Sequence, residues 1–288
     1  MIGNDAVGDG PCWTIAEAGI NHNGSMDLAH AMIDVAAEIG ADAIKWQKRT
    51  VEVVYTEAEL AAPRDSRFGK TNGDLKRGLE FSTKQYGELG AHAAERGIAW
   101  GASVWDEFSV ADLVCKCSTR PNFLKIASPT LTNKAVLQAC AAAKNRDGIP
   151  VILSTGMSTL EEIRAAVDVL GRGNLILLHC VSAYPPPPRD LNLHVMDTLR
   201  AEFGCPVGYS GHEDGIEASV AAAGLGACIV ERHFTLCNKL WGSDQKVSLE
   251  PRDFEMMLER IWENELFRGS YDKALLECEL AAKKKLRR

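Results

Sequence analysis

Several features that would assign the chain to a special class of protein are missing from the sequence. The 288 residues carry a formal net charge of -7, so no general excess of basic residues indicates nucleic acid binding. No stretch approaches the roughly 20 apolar residues of a membrane span. The first residues have neither the basic nor the apolar segment of a secretory signal. We therefore expect a cytoplasmic protein that binds neither nucleic acid nor a membrane.

A pattern of paired cysteines is also missing. The nine cysteines are scattered along the chain, and Cys115 and Cys117 are the only close pair. That spacing fits neither a disulfide framework nor a zinc ribbon. We therefore expect reduced, mostly buried thiols.

What the chain does have is a regular alternation of two kinds of segment. Short apolar runs, often β-branched, alternate with alanine-rich segments of helical spacing. The apolar runs lie near residues 13–20, 43–49, 98–104, 123–128, 151–156, 175–180, 206–211 and 228–235. The helical segments follow at 25–39, 83–96, 106–116, 132–144, 158–170, 191–202, 214–224 and 251–267. Eight strand–helix repeats predict an α/β fold, a (β/α)8 TIM barrel that forms a single domain over residues 1–288.

One connection breaks the alternation. Over thirty residues separate Arg49 from Ser82, and they include Pro63 and Gly69. A connection of this length is uncommon and is usually functional. It follows the C-terminal end of the second predicted strand, and TIM barrels carry their active sites at that end. We therefore interpret about 50–82 as a lid or substrate-side loop, the alternative being a surface insertion without a role.

Two histidines stand at the ends of neighbouring predicted strands. One apolar run leads into Gly211 and His212, and the next has His233 near its end. Because neighbouring strand ends meet on one rim of a barrel, two imidazoles placed there can share one divalent metal ion. His212 and His233 are therefore our candidate metal ligands.

Charged side chains inside other predicted strands form a second group of candidates. Glu17 lies in an apolar strand, where an unpaired carboxylate is costly, so it needs either an ion-pair partner or a chemical task. Lys45 and Gln47 share one face of the second strand, and Lys125 lies within the fourth. Two strand lysines, together with hydroxyl groups at other strand ends, favour binding of a phosphate monoester over a Schiff-base role. Those hydroxyl groups belong to Ser128, Ser154 and Ser210.

Two later stretches add polar side chains to the same rim. Tyr184 precedes a run of four prolines, which either holds its ring over the site or merely ends the strand. Asp244 lies in a loop of Gly, Ser and Asp residues after the eighth strand. It can reach back over the site, although a solvated loop aspartate is the alternative.

Together these stretches resemble the sialic acid synthase family. The matching segments are IAEAGINHNG at 15–24, KWQ at 45–47, KIAS at 125–128, STGM at 154–157, GYSGH at 208–212 and ERHFT at 231–235. The resemblance extends over about residues 13 to 268 in a consistent order. It implies a (β/α)8 transferase that condenses phosphoenolpyruvate with N-acetylmannosamine or a related amino sugar. The products would be a nine-carbon 3-deoxy-2-keto acid and phosphate, made by a homodimer with a divalent metal, Mn²⁺ or alternatively Mg²⁺ or Co²⁺.

The resemblance also implies roles for individual residues. His212 and His233 match the family's metal ligands, and with Glu17 they form the catalytic set. The implied phosphoenolpyruvate contacts are Lys45, Lys125, Ser128, Ser154 and Ser210. The residues implied to face the sugar and the reacting centre are Glu17, Gln47, Tyr184 and Asp244, and Ser182 completes the substrate-binding set.

The chain departs from the family pattern in three respects. Many members have Asn where this chain has Ser182, and Asp where it has Gly211. Many also continue into an antifreeze-like domain whose arginine caps the partner's site, whereas this sequence ends at Arg288, about where that domain begins. We therefore expect the barrel here without that domain.

Three alternatives to this function stay open from the residues. The first is a different phosphoenolpyruvate-dependent 3-deoxy-ulosonic acid synthase on the same scaffold. The second is a lysine aldolase, and the third is a sugar-phosphate-binding barrel that has lost its chemistry.

Overall fold

Eight parallel strands close into a barrel in this computed structural model, which describes residues 2, 7, 8, 10–270 and 272–287. Most of the start on which the absence of a secretory signal was predicted, and the terminal Arg288, lie outside the described residues. None of the described helices is long and apolar enough to cross a membrane.

Among the described residues, ten strands form the barrel and one small hairpin. They are β1 (Trp13–Gly19), β2 (Ala43–Lys48), β3 (Pro63–Ser66), β4 (Gly69–Thr71), β5 (Ala99–Val104), β6 (Phe123–Ile126), β7 (Val151–Ser154), β8 (Leu175–Cys180), β9 (Val207–Gly211) and β10 (Ile229–His233). The order around the barrel is β1-β10-β9-β8-β7-β6-β5-β2, and β2 pairs back with β1. Strands β3 and β4 pair only with each other and are antiparallel. The predicted TIM barrel is confirmed.

Helices surround the barrel and also occupy the β2–β5 connection. They are α1 (Met26–Glu38), α2 (Val51–Val54), α3 (Glu57–Ala61), α4 (Asn72–Leu79), α5 (Thr83–Glu95), α6 (Glu107–Ala111), α7 (Lys134–Asp147), α8 (Leu160–Leu170), α9 (Val195–Phe203), α10 (Glu217–Gly224), α11 (Pro251–Arg268) and α12 (Leu280–Leu286). Side-chain caps start several of them: the Ser82 hydroxyl accepts from the Gln85 amide, and Thr159 does the same for Glu162.

Two predicted helices begin too early in the sequence. The segments expected at 191–202 and 214–224 become helical only at Val195 and Glu217. Asn192 and Gly215 have φ angles of 44° and 73°, which lie in the left-handed region. Because an α-helix needs negative φ at every residue, neither helix can include these positions.

The barrel interior changes character from bottom to top. Near the N-terminal end of the strands it is filled by apolar side chains such as Ile15, Phe123 and Ile229. Successive inward positions on a strand lie two residues apart, so Ile15 is followed inward by Glu17, and Ile229 by Glu231. The apolar floor therefore gives way to charged side chains just below the rim.

The 50–82 segment is ordered rather than a plain loop. It contains α2, α3, the β3–β4 hairpin and α4. The ring of Phe68 fills the space beside Gly78, where an added Cβ would lie 2.2 Å from the ring. The same ring meets Trp241 edge-on, with 6.4 Å between ring centroids. Phe68 thus packs the segment against the loop that follows β10, on the side of the barrel that carries the rim residues.

Candidate active site

A cavity of about 610 Å³ opens at the C-terminal rim of the barrel. Its walls come from the strand ends, from the 50–82 segment and from the loop after β10. The structure brings all of the predicted site residues to this one cavity: Glu17, Lys45, Gln47, Lys125, Ser128, Ser154, Ser182, Tyr184, Ser210, His212, His233 and Asp244. Their individual roles stay predictions.

Two lysines and two carboxylates form a buried layer at the base of the cavity. Lys45 forms an ion pair with Glu17 and lies 3.8 Å from Glu231. Lys125 lies 2.7 Å from Glu231 on the opposite side. All four side chains are at most 6% exposed, so each charge needs the others. The layer is charge-balanced before any substrate enters.

Hydroxyl groups complete this layer, and two of them are available to a ligand. The Lys45 ammonium donates to the Ser103 hydroxyl at 2.7 Å, and the Ser210 hydroxyl donates to Glu231 at 3.0 Å. The Ser128 oxygen accepts from the Gly156 amide at 3.1 Å, which leaves its own proton to donate. The buried Ser154 hydroxyl has no hydrogen-bond partner among the described residues. Ser128 and Ser154 therefore offer donors to an anion in the cavity.

Burial and the neighbouring lysines together move the pKa values of the two carboxylates in opposite directions. It raises the pKa of Glu17, and the charge of Lys45 only partly opposes this. Burial also acts on Glu231, but the charges of Lys125 and Lys45 prevail and lower the pKa of that carboxyl to about 2. Burial lowers the pKa of Lys125 despite its contact with Glu231. Glu231 thus stays ionised, whereas Glu17 is the member suited to exchange a proton.

The two rim histidines face each other beside this layer. Their ring centroids lie 5.5 Å apart, which fits the roughly 5 to 6 Å expected when two imidazoles share a cation through bonds of about 2.1 Å. The His212 Nδ1 hydrogen-bonds to the Val181 carbonyl at 3.0 Å. A carbonyl only accepts, so Nδ1 carries the proton and Nε2 keeps a free lone pair. Burial lowers the pKa of His212 to about 4 and that of His233 below its usual range, so both rings are neutral.

The donor set fits a catalytic rather than a structural metal ion. His233 Nδ1 is buried and has no hydrogen-bond partner among the described residues. No group of three or more His, Cys, Asp or Glu with metal-site geometry occurs in the part of the chain that the structure describes. A cation at His212 and His233 would therefore have two protein ligands and open positions for water or substrate.

Tyr184 and the loop after β10 cover the histidines. The Tyr184 ring centroid lies 4.2 Å from that of His212 and 6.2 Å from that of His233. Asp244 lines the same cavity, and its charge favours the protonated form of His233. The tyrosine is 55% exposed, so it forms part of the mouth rather than the floor.

Comparisons with known proteins agree with this geometry. The model of the NeuB family matches residues 32–273. The chain belongs to the NeuB family.

Individual relatives support the NeuB assignment along nearly the whole chain. N-acetylneuraminate-9-phosphate synthase of Homo sapiens is 40% identical over 285 residues, which cover 97% of this chain and 77% of the human protein. N,N'-diacetyllegionaminic acid synthase of Legionella pneumophila is 38% identical and covers 96% of this chain and 79% of its own. The crystal structure of the N-acetylneuraminic acid synthetase of Leptospira borgpetersenii has a TM-score of 0.84 at 32% identity, covering 100% of this chain and 97% of that one. The resemblance predicted from the sequence is confirmed, and so is the prediction of an enzyme of this synthase type.

The structure adds residues to the NeuB site that sequence reasoning missed. Glu231 holds both lysines, and Ser103 binds Lys45. Arg49 is 4% exposed and lines the cavity with its guanidinium 4.8 Å from the Trp105 ring centroid. Glu231 carried the same signal as Glu17, a carboxylate within an apolar strand, and stands two residues before His233 on the same face. Ser103 and Arg49 gave no comparable signal.

A buried network of hydrogen bonds below His212 and His233 fixes the ends of β9 and β10. Arg232 Nη1 donates to the Glu213 carboxylate at 2.9 Å, and Nη2 donates to the Glu213 carbonyl at 2.7 Å. The same carboxylate accepts from Tyr209 at 2.9 Å and from Ser219 at 2.6 Å. Glu213 follows His212 in the chain and Arg232 precedes His233. This ion pair therefore links the two backbone positions from which the imidazoles project.

Proposed function

We propose that the protein condenses phosphoenolpyruvate with the open-chain aldehyde of an N-acylated hexosamine, N-acetylmannosamine or a related sugar. The products would be a nine-carbon 3-deoxy-2-keto acid of the sialic acid type and inorganic phosphate. Relatives named as synthases of N-acetylneuraminate 9-phosphate, N,N'-diacetyllegionaminic acid and pseudaminic acid support this reaction class.

The observation that carries the proposal is that a buried charged layer and a pair of neutral imidazoles line the same cavity. Phosphoenolpyruvate brings a phosphate and a carboxylate, and both need donors at fixed positions. An ammonium group has three N–H donors, and among the described residues Lys125 donates a hydrogen bond to Glu231 alone. Its remaining donors, with the hydroxyls of Ser128 and Ser154, would hold the phosphate.

The charge balance of the layer has a chemical consequence. Because two lysines and two carboxylates already cancel, the negative charge of phosphoenolpyruvate calls for further positive charge nearby. Arg49 supplies one such charge in the cavity wall. His212 and His233 would hold a divalent cation, for which we propose Mn²⁺ with Mg²⁺ and Co²⁺ as alternatives. Once bound, that cation supplies Lewis-acid polarisation of the aldehyde oxygen.

The bond changes of the proposed reaction balance with water as the third reactant. C3 of the enolpyruvate attacks the aldehyde carbon, and the aldehyde oxygen takes up a proton. Water adds its hydroxyl group to C2 and gives up the proton that the aldehyde oxygen gains. The C2–O bond to phosphate then breaks with its electron pair leaving on phosphate, and the C2 hydroxyl loses its proton to the departing phosphate as the keto group forms. Glu17 would move the proton at the aldehyde oxygen or at the attacking water, because burial raises its pKa. The other lining residues hold both substrates in register.

The dimensions and lining of the cavity suit two substrates together. Its volume of about 610 Å³ lies in the middle of the roughly 300–1,000 Å³ range of ligand pockets. Gln47 donates to Glu17 at 3.1 Å and borders the same space. Gln47, Ser182, Tyr184 and Asp244 would contact the sugar hydroxyl groups above the charged layer.

A phosphate-release assay tests the proposal. The enzyme is incubated with phosphoenolpyruvate, Mn²⁺ and a panel of N-acylated hexosamines, and we expect phosphate release with at least one of them. Lys125→Ala should lower kcat/KM for phosphoenolpyruvate by about 100-fold, because charge-assisted contacts to a phosphate are worth roughly 1.5–3 kcal/mol each. Lys134→Ala, at an exposed position at the start of α7, is the matched control. An unchanged kcat/KM in Lys125→Ala would remove this residue from the site, and no phosphate release with any sugar would overturn the proposed reaction.

We also propose that residues 1–288 form one domain and that the protein is a homodimer, as the family resemblance implies. Light scattering on the purified chain should give about twice the mass of 31.3 kDa. A monomer that turns over at the same rate at all protein concentrations would contradict the dimer.

A further inference from the structure

One cationic side chain in the cavity wall has no carboxylate to balance it. Arg49 follows β2, is 4% exposed and lines the cavity. Among the described residues its guanidinium donates a hydrogen bond to the side-chain oxygen of Gln47 and forms no ion pair, and its buried Nε has no partner. A buried guanidinium is costly unless its charge and its N–H groups are satisfied. Arg49 therefore lacks an anionic partner that a ligand can supply.

The carboxylate beside the Arg49 main chain is already used by other groups. Glu80 accepts from the Lys48 ammonium at 3.2 Å and from the Arg49 main-chain amide at 3.2 Å. The Tyr86 hydroxyl donates to the same oxygen at 3.4 Å. Lys48 and Glu80 thus balance each other, and the charge on the Arg49 side chain remains.

Two side chains fix the position of the Arg49 guanidinium. The Trp105 ring lies beside it, with 4.8 Å to the ring centroid, and a ring attracts a cation without cancelling its charge. Lys45, Gln47 and Arg49 take successive inward positions along β2 and its exit. The hydrogen bond to Gln47 places the guanidinium beside the side chain that lies one inward position above Lys45. The charge therefore lies just above the buried layer.

The lysine beneath Arg49 has its donors engaged. An ammonium group has three N–H donors. Lys45 donates to the Ser103 hydroxyl at 2.7 Å, forms an ion pair with Glu17 and lies 3.8 Å from Glu231. Its charge and donors are thus used within the layer. On this side of the cavity Arg49 offers an anion the donors that Lys45 does not.

The order of the strands divides the rim into three sectors. Lys125 and Ser154, proposed above to hold the phosphate, belong to β6 and β7, and the two imidazoles stand at the ends of β9 and β10. Around the barrel β8 separates these two pairs of strands, and β1 separates β10 from β2, which pairs with β5. The third sector, at the ends of β2 and β5, holds Arg49 and Trp105.

The shape of phosphoenolpyruvate matches these three sectors. Its C2 is planar and carries three groups that point in three directions: the phosphate oxygen, the reacting C3 and the carboxylate. With the phosphate at β6 and β7 and C3 facing an aldehyde at the imidazoles, the carboxylate points to the ends of β2 and β5. We propose that the Arg49 guanidinium binds this carboxylate. Its fork of N–H donors matches the two carboxylate oxygens. This inference rests on the proposed function.

The proposed contact predicts a particular kinetic effect. The carboxylate stays unchanged from phosphoenolpyruvate to the keto acid, so Arg49 binds the ground state and the transition state alike. Interactions of this uniform kind lower KM without raising kcat. In Arg49→Met we therefore expect KM for phosphoenolpyruvate to rise by about tenfold or more, with kcat and KM for the acceptor changed by less than about twofold.

Calorimetry on the full chain without an acceptor tests the contact directly. The probes are phosphoglycolate, which has a phosphate and a carboxylate, and methyl phosphate, which lacks the carboxylate. The wild type should bind phosphoglycolate at least about tenfold more tightly, which corresponds to about 1.4 kcal/mol. Arg49→Met should reduce this ratio to about threefold or less while its affinity for methyl phosphate changes by less than about twofold. Arg49→Lys keeps the charge without the fork, so its ratio should lie between the two.

Controls separate this contact from other effects. Lys125→Ala should weaken the binding of both probes. Arg172→Met removes an exposed arginine just before β8, at the opposite end of the barrel, and should change neither. Thermal unfolding of every variant checks that the fold is intact, and Arg49→Lys carries the test if Arg49→Met does not fold.

The outcomes distinguish the contact from the reaction. A wild type that binds both probes equally, or an Arg49→Met variant that keeps the wild-type ratio, overturns this inference alone. An Arg49→Met variant whose main defect is a raised KM for the acceptor does the same. A wild type that binds neither phosphoenolpyruvate nor phosphoglycolate overturns the proposed function as well.

Discussion

A single hydrogen bond determines which nitrogen of His212 faces the cavity. The Val181 carbonyl accepts from Nδ1, so the proton stays on that nitrogen and Nε2 presents its lone pair. Cys180 Sγ lies 3.7 Å from the same Nδ1 and cannot provide an equally strong acceptor. The orientation of this one ring thus depends on main chain at the end of β8.

Removal of either rim imidazole should abolish turnover without unfolding the protein. For His212→Ala or His233→Ala we expect kcat to fall by at least about 100-fold, because polarisation of the aldehyde is worth several kcal/mol. Mn²⁺ binding, measured by calorimetry, should weaken in parallel. His194→Ala, whose side chain is 88% exposed, is the control and should behave like the wild type. Full activity of either alanine variant after treatment with a chelator would refute the metal role.

The positions of side chains at strand ends depend on the contacts that hold those ends in place. In this barrel the Arg232–Glu213 ion pair connects β9 to β10 and also reaches the Gly215 carbonyl and Ser219 at the start of α10. Both side chains are at most 5% exposed. A buried pair of this kind costs desolvation energy, and its value lies in the geometry that it imposes.

Variants of this pair should separate stability from catalysis. Arg232→Met leaves the Glu213 carboxylate buried and uncompensated, so unfolding in urea should show a loss of about 3–5 kcal/mol. Arg232→Met/Glu213→Leu removes both charges and should recover most of that stability. We expect kcat and Mn²⁺ affinity to stay reduced in the double variant, because the imidazoles are no longer held at their spacing. A double variant with wild-type kcat would contradict this positioning role.

Elements with a strong internal pattern could be predicted from the sequence, and those stabilised by distant contacts could not. The apolar run of β8 and its flanking polar residues place that strand without any tertiary information. The β3–β4 hairpin has only three or four residues in each strand, and it depends on the packing of Phe68 against Gly78 and Trp241. No local signal marks that contact.

The residues of the candidate site also fall into those that the sequence predicts and those that only the fold reveals. Glu17 and the strand lysines stand out because a charge inside an apolar run demands an explanation. Glu231 also lies inside an apolar run, but the histidine two residues later is the stronger functional signal in that strand. Arg49 could not be identified, since only the fold brings it to the cavity with Trp105 beneath its guanidinium.

At the scale of the whole molecule, buried neutral histidines make stability depend on pH. Burial lowers the pKa of His22 to about 3 and that of His212 to about 4, whereas an unfolded histidine titrates near 6.5. Above pH 6.5 neither state binds these protons, so the stability is fully present. As the pH falls from about 6.5 towards 4, the unfolded state takes up protons that the native state refuses, and stability is lost.

The expected loss is about 1.4 kcal/mol per pH unit for each such histidine. Urea unfolding between pH 8 and pH 5, with a chelator present, should show a plateau above pH 7 and a steep decline below pH 6.5. His22→Gln should have a shallower decline than the wild type, whereas the exposed His194→Gln should not. A wild-type free energy of unfolding that stays constant from pH 8 to pH 5 would contradict the prediction.

The pairing of β1 with β10 has a consequence for how the protein is made. Glu17 of the first barrel strand lies in register with His233 of the last, so the pocket joins strands that are far apart in the sequence. A ribosome-bound chain that still lacks β10 exposes both edges of an open parallel sheet, and its buried-layer lysines have no Glu231 to receive them. Contacts between remote parts of a chain form slowly, and the intermediates that precede them are prone to aggregation. We therefore expect no activity, and the greatest tendency to aggregate, until the eighth barrel strand has left the ribosome.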